Sequence, residues 1–165
     1  MQIWKWSLYS ILLLVLSLIQ DVVLCKLDVR GSTTELVPVG IFMICILEGA
    51  ESGSIFALIA SLLYLFSGSA AGPYSMLFIT ALAIGVTIFR QAYLQKDFAS
   101  VVLCTVVGLL LYELAVFAMG LFLDYTIPGR IVGFCITALL SAVAAPILYP
   151  IAVAIRSLGG EVWKE

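Results

Sequence analysis

Polar positions interrupt this chain at only a few places, and the apolar stretches between them are long. A helix that crosses a bilayer needs about 20 mainly apolar residues. Six candidate helices follow, over about 3–24, 36–48, 52–67, 73–94, 98–123 and 130–157. The second opens close to Pro38, at a position where proline is tolerated in a helix. Only the segment EGAES separates it from the third, so the two form a tight helical hairpin. Both are short for a full span. They are tilted, stacked end to end, or re-entrant with their backbone buried by protein. The turn-rich segment GSAAGP precedes the fourth helix.

Composition agrees with a lipid-facing chain. Of 165 residues, 64% are apolar and 11% charged, against about half and about one quarter in soluble domains. Mean hydropathy is +1.22. The expected fold is all-α: one integral membrane domain over residues 1–165, a compact bundle of about six transmembrane helices. A net charge of -2 leaves no basic footprint for nucleic acid. The chain has no histidine, which removes the commonest general base and zinc ligand. Its four cysteines, Cys25, Cys45, Cys104 and Cys135, are widely spaced and read as small apolar packing residues. No cofactor or metal is expected.

The run ILLLVLSLI follows Lys5 without a small-x-small cleavage site, so it reads as a retained first helix. Lysine and arginine set orientation. Lys5, Arg90, Lys96, Arg156 and Lys164 fall on one side; Lys26, Arg30 and Arg130 fall on the other. This bias expects both termini in the cytoplasm, with Trp4, Trp6 and Trp163 forming an aromatic belt there.

Ionisable residues within apolar spans are functional candidates by default. Glu113 lies well inside the fifth helix, in LLLYELAVF. It is either an ion or proton relay or a buried hydrogen bond between two helices. Gln20 and Asp21 end the first helix, as water-facing residues or as partner contacts. Glu48 and Glu51 flank the hairpin turn, where a solvated turn or a cap by Glu51 or Ser52 is expected. Arg90 and Gln91 end the fourth helix, with Arg90 snorkelling to the headgroups. Small residues recur four apart at Gly49 and Gly53, Gly68 and Gly72, Gly129 and Gly133, Ala138 and Ala142, and Ser141 and Ala145, a spacing that lets membrane helices approach closely.

The sixth helix carries APILYPIAVAIR, with Pro146 and Pro150. Each removes a backbone donor and obstructs a carbonyl four residues earlier. A bend or local unwinding is expected, with neighbouring helices or the Ser141 and Thr137 hydroxyls satisfying the freed carbonyls and Tyr149 presenting a hydroxyl at membrane depth or at the headgroups. Either the bend shapes a groove or the helix simply curves around its neighbours.

The order of these features resembles the MreD family, the polytopic membrane subunit of the bacterial cell-elongation (rod) complex. The likeness is carried by LIQDVVL at the end of the first helix, Pro38, the hairpin EGAESGSIFAL with Gly49 and Gly53, and LLYLFSGSAAGPYSM with Ser67, Gly68, Gly72 and Tyr74 in register. YELAVFAMGLFL and the final LYPIAVAI are also similar. The family's frequent Asp before SG falls at Tyr64, and its frequent Arg before the hairpin glycine falls at Glu48. The resemblance implies a non-enzymatic scaffold of the inner membrane. It would bind an MreC-like bitopic protein and couple an MreB-like filament and peptidoglycan synthases, with membrane lipid around it and a homodimer open. The rival expectation is the substrate-binding S component of an energy-coupling-factor vitamin transporter, of similar length and helix number. Those proteins carry small residues at AxxxA spacing on the first helix, and residues 3–24 here contain no alanine or glycine.

Overall fold

A computed structural model describes residues 2–26, 34–94 and 97–158. The described residues form six α-helices, α1 (Gln2–Val22), α2 (Leu36–Glu48), α3 (Ala50–Phe66), α4 (Pro73–Tyr93), α5 (Phe98–Phe122) and α6 (Ile131–Leu158), and no strand. Short 3-10 turns at Leu24–Lys26 and Pro128–Arg130 follow α1 and precede α6. The sequence-based boundaries hold to within two residues. The stretches at α1, α4, α5 and α6 are long and apolar enough to cross a membrane, whereas α2 and α3 are shorter.

The centre of the fold is α2. Its 13 residues rise only about 20 Å at 1.5 Å each. Every residue from Leu36 to Leu47 is buried. A helix apolar on all faces can persist only where other helices cover it on every side, and α1, α3, α4, α5 and α6 all pack against it. Tyr9, Leu13 and Leu16 of α1, Phe56 and Ala57 of α3, Ile79 and Ala83 of α4, and Leu109 of α5 share one core with it.

Gly49 alone links α2 to α3. Its φ of +92° is a backbone shape that a side chain disfavours, and it lets the chain reverse in one residue. At Gly53 a side chain would begin 2.8 Å from the Cys45 carbonyl oxygen, so α3 lies directly on the α2 backbone. The expected close packing at this glycine pair is therefore present. Ala138, Ser141 and Ala145 are likewise buried, on the face of α6 against its neighbours. Gly68 and Gly72 differ from expectation, because they lie in the α3–α4 connection rather than on a helix face. Gly129 also differs, with open space where a side chain would project.

Glu51 and Ser52 do not cap α3, whose N-cap is Gly49, without a side-chain hydrogen bond. The α6 helix runs through Pro146 and Pro150 as one element, with both prolines exposed. Ser141 accepts the Glu35 amide at 2.9 Å, so its oxygen serves a second element rather than only its own helix. Tyr149 is half-buried, edge-on to Phe98 at 4.7 Å between ring centres. Lys96, Trp163, Lys164 and Arg30 lie outside the described residues.

Candidate functional site

A short helix buried at both ends leaves amides and carbonyls that water cannot reach, and these must find partners. The side chains that meet this need build two polar clusters, one at each end of α2.

At the α2 N-terminus, Gln20 Oε1 accepts from Leu36 N at 2.8 Å and from Val37 N at 3.1 Å. Its Nε2 donates to Tyr64 Oη at 3.4 Å. Gln20 is thus a buried helix cap, 8% exposed, rather than the water-facing residue or partner contact expected at the end of α1. Asp21 beside it is exposed and accepts from Ser69 Oγ at 2.7 Å, tying α1 to the α3–α4 connection. Tyr64 Oη donates to Glu35 Oε2 at 3.3 Å. Tyr112 of α5 faces the same carboxyl, in looser geometry. Glu113, 5% exposed, lies within the electrostatic reach of Glu35. The expected interhelical hydrogen bond of Glu113 is not formed among the described residues. Glu35 sits ahead of α2, and burial pushes its carboxyl up to about 7, with the Tyr64 hydrogen bond and the nearby Tyr112 hydroxyl drawing it partly back. Tyr74 lies over Gly72, and its hydroxyl donates to Ala71 O at 3.2 Å near this end.

At the α2 C-terminus, Lys5 Nζ donates to Glu48 Oε2 at 2.6 Å and Tyr9 Oη to Glu48 Oε1 at 2.8 Å. The Lys5 and Glu48 side chains are 5% and 2% exposed, so Glu48 is an interior ion-pair residue and not part of a solvated turn. Arg90 does not snorkel either. It is 3% exposed, and its Nη1 donates to the Ile46 carbonyl at 3.2 Å, satisfying the last turn of α2. Pro38 is buried in the first turn of α2, where its missing N–H costs no helical bond.

Between α1 and α3 a groove of about 700 Å³ opens on the flank of the bundle, with Val37 in its floor. Ser10, Leu14 and Ser17 form one wall, and Ser52, Ile55 and Ile59 the other. Tyr64 is shared between its end and the Glu35 cluster. No α6 residue lines it, so Pro146 and Pro150 do not shape this groove.

Glu35, Tyr64, Tyr112, Lys5 and Tyr9 are the site residues that sequence reasoning passed over. The available signal was the helix they serve: a 13-residue apolar helix needs caps from elsewhere. Among the described residues, no three histidine, cysteine or carboxylate side chains gather as a metal site. No family model, curated protein or solved structure matches the chain. The fold therefore defines an all-helical protein with four helices capable of crossing a membrane, built around a fifth that is fully enclosed.

Proposed function

We propose that this chain is a non-enzymatic membrane scaffold of the bacterial cell-elongation complex. It docks the membrane anchor of an MreC-like bitopic protein and so helps couple an MreB-like filament and the peptidoglycan synthases to cell-shape control. The order of glycine, proline and glutamine positions that resembles the MreD family supports this reading. The observation that carries it structurally is the α1–α3 groove. It is open on the flank and walled by aliphatic side chains and three serine hydroxyls. Small and hydroxylated residues are the surfaces on which membrane helices associate. The test is affinity purification of the tagged protein from its own membranes in mild detergent, followed by mass spectrometry. Recovery of a coiled-coil bitopic protein with cell-wall synthases is the expected result.

A second reading, the solute-binding S component, is favoured by one feature, the gathering of Gln20, Glu35, Tyr64, Tyr112 and Glu113 at one end. Convergent polar and aromatic groups are what a small-molecule site requires. Co-purification of paired ATPases with a coupling membrane subunit would replace the scaffold with this reading.

A further inference from the structure

The two rims of the α1–α3 groove end in carboxylates at opposite mouths. On α1, Ser10, Leu14, Ser17 and Asp21 follow one another at helical spacing, and the first three line the groove. On α3, Glu51, Ile55, Ile59 and Leu63 form the facing row, and the last three line it. The two helices run the same way. Lys5 of α1 meets Glu48 just ahead of α3, and Gln20 meets Tyr64 near where both helices finish. Glu51 therefore stands at one mouth and Asp21 at the other. From Glu51 to Tyr64, which is level with Gln20, α3 rises about 20 Å.

Both carboxylates are exposed, and among the described residues neither has an ion-pair partner. Asp21 is held in place by two hydroxyls. Its Oδ1 accepts from Ser69 Oγ at 2.7 Å and its Oδ2 from Ser17 Oγ at 3.4 Å. An ionised carboxylate has about four acceptor sites, so an incoming cation still finds lone pairs there. Asp21 is also disfavoured by its own helix. It lies in the last turn of α1, at the negative pole of the helix dipole, and no basic residue lies in that turn.

We propose that the groove selects a membrane-spanning helix that carries a lysine or arginine at each end, one paired with Asp21 and the other with Glu51. This rests on the reading of the groove as a helix-docking face and adds the charge pattern that the face selects. With their stems reaching back along the helix, the two basic residues lie about 14–20 residues apart. A phospholipid tail is a poorer occupant, because it has a polar group at one end only and its phosphate is repelled by a carboxylate there. A second copy of this chain is also a poorer occupant. Its α6 has basic residues at both ends, but Arg130 and Arg156 are about 39 Å apart at 1.5 Å per residue, roughly twice the span of the groove. Lys5 of α1 is committed to Glu48.

The experiment places a photocrosslinking benzoylphenylalanine at Leu14 or Ile59 of the full-length protein in its own membranes, with Leu77 on α4 as the position outside the groove. The crosslinked peptide is identified by mass spectrometry. The expected result is a helix with a basic residue at each end, captured from Leu14 and Ile59 and not from Leu77. Asp21→Asn and Glu51→Gln should each lower the yield about two- to fivefold, and Asp124→Asn, at an exposed carboxylate outside the groove, should leave it unchanged. Asp21→Lys should lower it further, and exchanging the facing basic residue of the partner for aspartate should restore it. Full capture of a bitopic coiled-coil partner by the Asp21→Asn, Glu51→Gln double variant overturns the charge rule and leaves the scaffold reading standing. Capture of a basic-ended helix from a protein outside the cell-elongation complex, lost in the double variant, supports the charge rule and removes the scaffold reading. A captured helix without basic ends, crosslinks to lipid or a second copy only, or no crosslink at all overturns the proposal.

Discussion

Lys5 Nζ lies 2.6 Å from Glu48 Oε2, joining the start of α1 to the end of α2 across 43 residues of sequence, with both side chains almost fully buried. Tyr9 donates to the other oxygen of the same carboxylate. Removing one member of a buried pair strands the other charge, at a cost of about 3–5 kcal/mol, whereas replacing both by apolar groups is often neutral. Lys5→Met, which strands the Glu48 carboxylate, should therefore lower Tm in detergent by roughly 10 °C, and Glu48→Gln should lower it too. The double variant Lys5→Met with Glu48→Leu should recover more than half of that loss. Equal Tm values for the single variants and the parent would show that the pair adds nothing.

Gln20 is the matching device at the other end. Its side-chain carbonyl takes two backbone amides that α2 cannot satisfy itself. Each buried amide left without a partner costs about 1–3 kcal/mol. Gln20→Met, close in shape, should lower Tm by roughly 5–10 °C. Asp21→Asn next to it, exposed and at a rim contact, should leave Tm within about 2 °C. Thermal unfolding of the two variants side by side checks the contrast.

Much of the fold was legible, because six apolar runs separated by short polar segments leave few alternatives for a helical chain. The polar contacts were not. Gln20, Glu48 and Arg90 each sit at a helix end in sequence, which reads as the edge of the membrane. In the fold those positions lie at or beside the ends of the short α2, so Gln20 and Arg90 meet backbone and Glu48 meets Lys5 and Tyr9 instead of water. Periodicity does not reveal which neighbour a short helix recruits, and Glu35, in a polar connecting segment, carries no local mark of burial. The two positions that depart from the MreD-like pattern, Glu48 and Tyr64, are both engaged here, with Lys5 and with Glu35.

Two of the three glycine pairs that look alike in sequence separate in space. At Gly53 an added Cβ would meet the Cys45 carbonyl oxygen at 2.8 Å and the Cys45 Cα at 2.9 Å, both backbone atoms that cannot swing aside. At Gly129 it would meet nothing within 4 Å. Gly53→Ala should therefore push α3 off α2 and cost about 1–3 kcal/mol. Gly129→Ala should stay within about 0.5 kcal/mol. Chemical or thermal unfolding of both variants gives the comparison, and a Gly53→Ala protein as stable as the parent would contradict the close α2–α3 approach.

Stability should fall with pH through the Glu35 carboxyl. Its proton is held more tightly in the folded protein than in the unfolded chain, because burial raises it from 4.5 to about 7. The stabilisation is fully present below about 4.5 and is lost as pH rises through about 7, levelling off above that. Among the described residues, the groups that act on it are Tyr64 from α3 and Tyr112 and Glu113 from α5, while Ser141 from α6 holds the Glu35 backbone amide. Tm should drop by roughly 5 °C between pH 5 and pH 8. Glu35→Gln should flatten that slope. A parent slope retained in Glu35→Gln would move the dependence to another group.

The groove between α1 and α3 gives the scaffold reading its sharpest test. Ile55 is 66% exposed and lines one wall. Ile55→Trp adds bulk to the space a docked helix would occupy without touching the α2 core, since the outward face of α3 has room for it. Recovery of the bitopic coiled-coil partner in pull-downs should fall about tenfold or more, equivalent to about 1.4 kcal/mol of docking energy. The Tm of the variant alone should stay within about 2 °C of the parent. Leu77→Trp, at a position 69% exposed on α4 and outside the groove, should leave recovery unchanged. If both tryptophan variants recover the partner equally, docking uses another face of the bundle. If Ile55→Trp alone loses it, cysteine crosslinking from Ser52 and Ser17 would next define which face of the partner helix enters the groove.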